Sequence, residues 1–79
     1  SKRDKRILRT YRFEGFLEGN DFVNRVGRRA QRINHHPDID IRYNKVTLRL
    51  TTHDQGGLTR KDFSLARKCD EIFSKYSPS

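Results

Sequence analysis

Asn34-His35-His36-Pro37-Asp38 is the stretch of this chain richest in groups that can do chemistry. The chain has 3 histidines: His35 and His36 are adjacent, and His53 follows the next two apolar alternations. Imidazoles change charge near neutral pH. A set of them can take a proton from a substrate and hand one to a departing hydroxyl, with no cofactor. A metal site made of His35, His36, His53 and Asp38 is a competing use. Adjacent histidines seldom hold one ion, however, and the spacings of familiar zinc motifs are absent. The bland alternative has His35 capping a helix and His36 and His53 merely exposed. For a lone histidine that is the default; for all three around one helix-hairpin unit it is the weaker reading.

The elements that must position these rings can be read from periodicity. Ile7, Tyr11 and Phe13 share one parity, as in a half-buried strand. Gly15 punctuates it, and Phe16-Leu17 crosses into Glu18-Gly19-Asn20, read as a turn whose Asn20 or Asp21 caps the next helix. Phe22, Val26, Ala30 and Ile33 follow at helical spacing with Val23 alongside, and Arg25, Arg28, Arg29 and Arg32 take much of the other face. Pro37 is expected to end that helix, since it disfavours helical geometry at His36. His35 and His36 then stand in or just past the last turn, where unpaired carbonyls favour a protonated ring. Neighbours on a helix do not face one another, so the two rings should point apart and take different jobs.

A hairpin comes next. Ile39, Ile41 and Tyr43 alternate on odd positions and Val46, Leu48 and Leu50 on even ones. The switch of parity across Asn44-Lys45 predicts a two-residue turn with Asn44 at positive φ. If the second alternation persists, Thr51 and His53 point away from the core face. Asp54-Gln55-Gly56-Gly57 reads as a turn, and Thr59 with Asp62 as a capping-box-like start to the last helix. Leu65, Cys69, Ile72 and Tyr76 give that helix its stripe, with Phe63, Ala66 and Phe73 beside it. Cys69, within the stripe, is expected to be a small buried side chain and not a nucleophile. The order strand-helix-strand-strand-helix predicts an α+β domain, its helices on one face of an antiparallel sheet. Residues 1–79 form a single domain on this reading, with 1–6 frayed.

Composition bounds what such a chain can be. In 79 residues, 32% are hydrophobic and 35% charged, so one modest core is available and oligomerisation is expected to assist it. The single cysteine forms no internal disulfide, and nothing resembles a secretion signal or membrane span, which points to a cytoplasmic protein away from membranes. A net charge of +8 allows an acidic partner. Nucleic acid is disfavoured, because Tyr11, Phe13 and Tyr43 fall on alternations suited to core and not to base stacking.

His35-His36-Pro37-Asp38, Tyr43-Asn44-Lys45-Val46, Thr51-Thr52-His53 and Gly56-Gly57-Leu58-Thr59 with Asp62 together resemble the pterin-4a-carbinolamine dehydratases. The resemblance runs from about Lys5 to Tyr76, and the set is specific where no single piece is. It implies a hydro-lyase that removes water from 4a-hydroxytetrahydropterin, giving the quinonoid dihydropterin in recycling of a tetrahydrobiopterin-type cofactor, with no metal and no cofactor. It further implies that His35 and His53 are the acid-base pair, that His36 mainly orients the pterin, that Asn34, Thr51, Thr52 and Asp54 contact substrate and that Pro37 shapes the turn.

The chain departs from the family pattern at Gln31, where a charged, commonly acidic, residue is usual; an amide there implies weaker electrostatic tuning of His35. The family's usual leading helix and first strand are also lacking, which bears on the sheet edge. The resemblance implies a homodimer joined edge to edge between sheets, or a homotetramer. A second, non-enzymatic role in the family, as a dimerisation cofactor for a homeodomain transcription factor, gives the alternative of a protein-binding module or transcriptional coactivator. Such a module would not need the histidines.

Overall fold

Three alternating runs form one antiparallel sheet in the computed structural model, which describes residues 6–51 and 60–76. The elements are β1 (Ile7–Arg12), α1 (Phe16–Ile33), β2 (Asp38–Arg42), β3 (Lys45–Leu50) and α2 (Arg60–Phe73). This is the expected α+β order. The sheet runs β1-β3-β2, with β3 in the centre and antiparallel to both neighbours. Register puts Tyr11, Val46 and Ile41 in one cross-strand row, and Leu48 beside Ile39 in the next. Successive side chains point to opposite faces, so these rows share the face that the helices cover. On the other face the Thr10 and Thr47 hydroxyls lie 3.2 Å apart.

The core joins Val46, Leu48 and Leu50 of β3 to Phe22 and Val26 of α1 and to Leu65, Ala66 and Cys69 of α2. Phe13 packs edge-on to Phe73 and Tyr76, with ring centroids 5.2 and 5.4 Å away, a geometry that aromatic quadrupoles favour. Tyr11 donates its hydroxyl to Asp70 Oδ1 at 2.5 Å, so this phenol is buried without losing its hydrogen bond. Cys69 is fully buried, and burial, followed by the neighbouring Asp70 charge, pushes its thiol up to about 12. It is packing, as its place in the stripe predicts.

Four local expectations are corrected. First, α1 begins at Phe16, so the expected turn over Glu18-Gly19-Asn20 lies within the first turns of the helix. Gly19 faces the sheet: a Cβ there would meet Phe13 and Val46 side chains at 3.5 Å and the Tyr43 carbonyl at 3.9 Å. Gly19 is thus a buried helix residue packed on the sheet, where a Cβ would make ordinary van der Waals contacts, and not a turn. Second, Asn34 and not Pro37 ends α1. Asn34 is left-handed (φ 55, ψ 46); its N–H donates to Gln31 O at 3.2 Å, and the His35 N–H donates to Ala30 O at 3.0 Å. Those two bonds make a Schellman ending.

Third, the hairpin turn is Tyr43-Asn44, since Arg42 pairs with Lys45. Tyr43 carries the positive φ, 52°, and its ring is exposed and outside the core. Asn44 is occupied elsewhere: its Nδ2 donates to Phe13 O, and its carbonyl accepts from the Phe13 N–H, both at 2.9 Å. Fourth, Phe63 is also exposed, one residue off the buried stripe. No helix among the described residues is long and apolar enough to cross a membrane.

Candidate active site

The Schellman ending of α1 turns the chain sharply, and His35 is the first residue past it. Its Nε2 lies 2.6 Å from Oδ1 of Asp62, in the first turn of α2. Asp62 is 0% exposed, the one buried charged side chain among the described residues. A carboxylate removed from water needs a donor or a cation, and the His35 ring supplies one. The accepting carboxylate fixes a hydrogen on Nε2 and leaves Nδ1 as the second position of the ring.

His36 points elsewhere, as the adjacency of the two rings predicts. Its Nε2 lies 2.9 Å from Gln31 Oε1, in the exposed last turn of α1. A carbonyl oxygen only accepts, so this bond also assigns the hydrogen to Nε2. Gln31 therefore engages His36, not the His35 expected to feel its charge type.

Four chain segments meet at this end of the molecule. α1 delivers both rings, α2 delivers Asp62, and β2 starts at Asp38, opposite Arg49 near the end of β3. Thr51 therefore leaves the sheet at the histidine end, half-buried. Asn34 is exposed and Pro37 half-buried beside the rings. Thr52, His53 and Asp54 lie outside the described residues. So do Thr59 and the expected turn over Asp54–Gly57. Among the described residues, no group of three His, Cys, Asp or Glu side chains could hold a metal ion.

Asp62 is the residue of this candidate site whose partner periodicity alone does not give. It was legible as a cap because it follows Thr59 at the right spacing. Yet Asp62 also keeps helical spacing with Leu65, Ala66 and Cys69, all buried. An acid on an apolar stripe calls for a partner, and that was the available signal.

The family model described as pterin 4 alpha carbinolamine dehydratase matches residues 1–72. The chain belongs to the pterin-4a-carbinolamine dehydratase family. A relative from Picosynechococcus sp., provisionally named pterin-4-alpha-carbinolamine dehydratase, is 54% identical over 72 residues, which is 91% of this chain and 78% of the relative. One from Herpetosiphon aurantiacus, with the same provisional name, is 52% identical over 71 residues, covering 90% and 74%. Among solved structures, the transcriptional coactivator/pterin dehydratase from Brucella melitensis superposes with a TM-score of 0.82 at 32% identity, covering 86% of this chain and 72% of that one. The dehydratase fold is therefore shared, and the His35–Asp62 pair sits within it.

Proposed function

We propose that the protein dehydrates a 4a-hydroxytetrahydropterin to the quinonoid dihydropterin. The N5–H proton goes to a base, and the electron pair it leaves forms the C4a=N5 bond. The C4a–O bond breaks as its oxygen takes a proton, so the products are the dihydropterin and one water. Nothing is oxidised or reduced. Both proton transfers suit imidazoles, whose ordinary pKa lies near ambient pH.

The observation that carries this reading is the His35–Asp62 pair, a ring oriented by a wholly buried carboxylate at 2.6 Å. Ring orientation by a second group is what a proton-transfer site needs. His35 and His53 are assigned as the acid-base pair, and His36, held by Gln31, as the ring that orients the pterin. Asn34, Pro37, Thr51, Thr52 and Asp54 complete the pocket on this reading, in part outside the described residues. Under it the protein serves tetrahydrobiopterin-type cofactor recycling in the cytoplasm, as a homodimer or homotetramer.

The Brucella melitensis neighbour is described as a coactivator as well as a dehydratase, which supports a protein-binding module as the second reading. The test is a dehydration assay on the parent, His35→Ala and His53→Ala. Each substitution is expected to lower turnover by roughly 100-fold or more, while circular dichroism shows the fold retained. His35→Ala should also lower the urea midpoint, since it removes a partner of the buried Asp62. Equal rates in parent and variants would overturn the assignment, and a parent without activity would leave the binding module.

A further inference from the structure

A groove of about 720 Å³ runs between α1 and β2, within the usual size of a small-molecule site. Val23, Gly27 and Ile39 give it an apolar lining, to which Gln31, Arg28 and Arg32 add polar groups. No carboxylate is among the lining residues. Gln31 belongs to the candidate active site as well, because its Oε1 is the atom 2.9 Å from His36 Nε2. Gln31 thus borders both the groove and His36.

Gly27 lies in the middle of an 18-residue helix. A glycine there costs roughly 1 kcal/mol against alanine. A Cβ at this position would meet nothing within 4 Å, so no contact within the fold demands the glycine. Its missing side chain widens the groove.

Arg28 and Arg32 are one helical turn apart and exposed, on neighbouring positions of the same face. Three of the other arginines pair with carboxylates: Arg25 with Asp21 at 3.2 Å, Arg42 with Asp40 at 3.2 Å, and Arg9 with Asp70 at 3.4 Å. Among the described residues neither Arg28 nor Arg32 is in an ion pair. The carboxylate that Arg28 acts on at longer range, Asp21, is already held by Tyr76 and Arg25.

We propose that this groove receives the substituent carried on the pterin ring and selects one that ends in an anion, a phosphate ester or a carboxylate. The proposal rests on the dehydratase reading and names the substrate class of that same site. The apolar lining covers the carbon chain of the substituent, and the two guanidinium groups offer the planar donor pairs that such anions accept.

The test compares three oxidised pterins at low ionic strength, alike except that the substituent ends in a hydroxyl, a phosphate or a carboxylate. Binding is read by quenching of pterin fluorescence. On the parent, at least one anionic pterin is expected to bind roughly 10-fold or more tighter than the neutral one. In the double variant Arg28→Gln/Arg32→Gln that preference should vanish, with neutral-pterin affinity held within about threefold. The control Arg12→Gln/Arg42→Gln removes the same charge from the opposite sheet face and should keep the preference. Equal binding of neutral and anionic pterins by the parent would overturn the selectivity alone. So would a preference that survives the first variant, or one lost equally in the control, since that is a general effect of net charge. Failure of the parent to bind any of the three pterins would overturn the dehydratase reading with it.

Discussion

Two aspartates, both paired with a ring, show how differently one residue type can be used here. Asp62 is sealed from water against His35 at 2.6 Å. Asn at that position keeps the shape and an accepting oxygen but loses the charge, so the ring is held less firmly and an imidazolium is no longer balanced. Asp62→Asn is expected to lower dehydration turnover by roughly 10- to 100-fold, a share of the 10²–10⁴ that a placed acid or base supplies. Circular dichroism should show the fold retained. Parental turnover in this variant would remove Asp62 from the mechanism. Asp21, by contrast, is at the surface, where the Tyr76 hydroxyl donates to it and, with lesser help from Arg25, holds its carboxyl below the usual range. A lowered folded pKa means that the unfolded chain binds the proton more readily. The contribution to stability is therefore complete above the unfolded carboxyl pKa and is lost as pH falls through the folded one. In Tyr76→Phe the carboxyl carbon of Asp21, followed by NMR, is expected to titrate at higher pH than in the parent. An unchanged midpoint would show that the hydrogen bond does not set it.

At the scale of the elements, the ending of α1 matters most, because it aims the histidines. Asn34 holds φ 55 and ψ 46, a region that asparagine tolerates and glycine enters freely. Asn34→Ala is expected to destabilise the protein by about 1 kcal/mol in urea unfolding, and Asn34→Gly to leave stability near that of the parent. If Asn34 also touches substrate, both variants should raise KM alike, which separates the backbone role from the side-chain role. Equal stability of the two variants would show that the left-handed ending is not what Asn34 supplies. The sequence carried the order of elements, the buried stripes of both helices and the parity of β1 and β3, because repeated burial leaves a period. It hid whatever depends on one contact. Gly19 looks like a turn until Phe13 and Val46 are seen against it. Asn44 looks like the strained turn residue until its side chain is found on the Phe13 carbonyl. Pro37 masked the ending at Asn34, because both signals say that a helix stops here. At the site, the divergence of His35 and His36 followed from helix geometry, whereas the choice of Asp62 as a partner needed the packing of α2 against α1.

Among the described residues, some apolar side chains of the outer strands stay exposed. Ile41 stands in register with Val46, which is fully buried, yet it remains 38% exposed on the outer strand β2, outside the lining of the groove. Leu8 on the opposite outer strand is 50% exposed. Such strand edges invite pairing with another copy, in line with the homodimer proposed above. A dimer ties stability to concentration: a 100-fold rise in protein is expected to stabilise it by roughly 2.7 kcal/mol, raising the unfolding midpoint, with a matching mass by light scattering. The net charge of +8 acts against this, since like-charged copies repel. Added salt screens that repulsion and should tighten the dimer, whereas the same salt should weaken the hold of Arg28 and Arg32 on an anionic pterin. Opposite salt dependences for assembly and for ligand binding therefore separate the two surfaces in one titration. A midpoint that stays fixed across the concentration series, at any salt, would mean that the sheet edges are stable without a second copy.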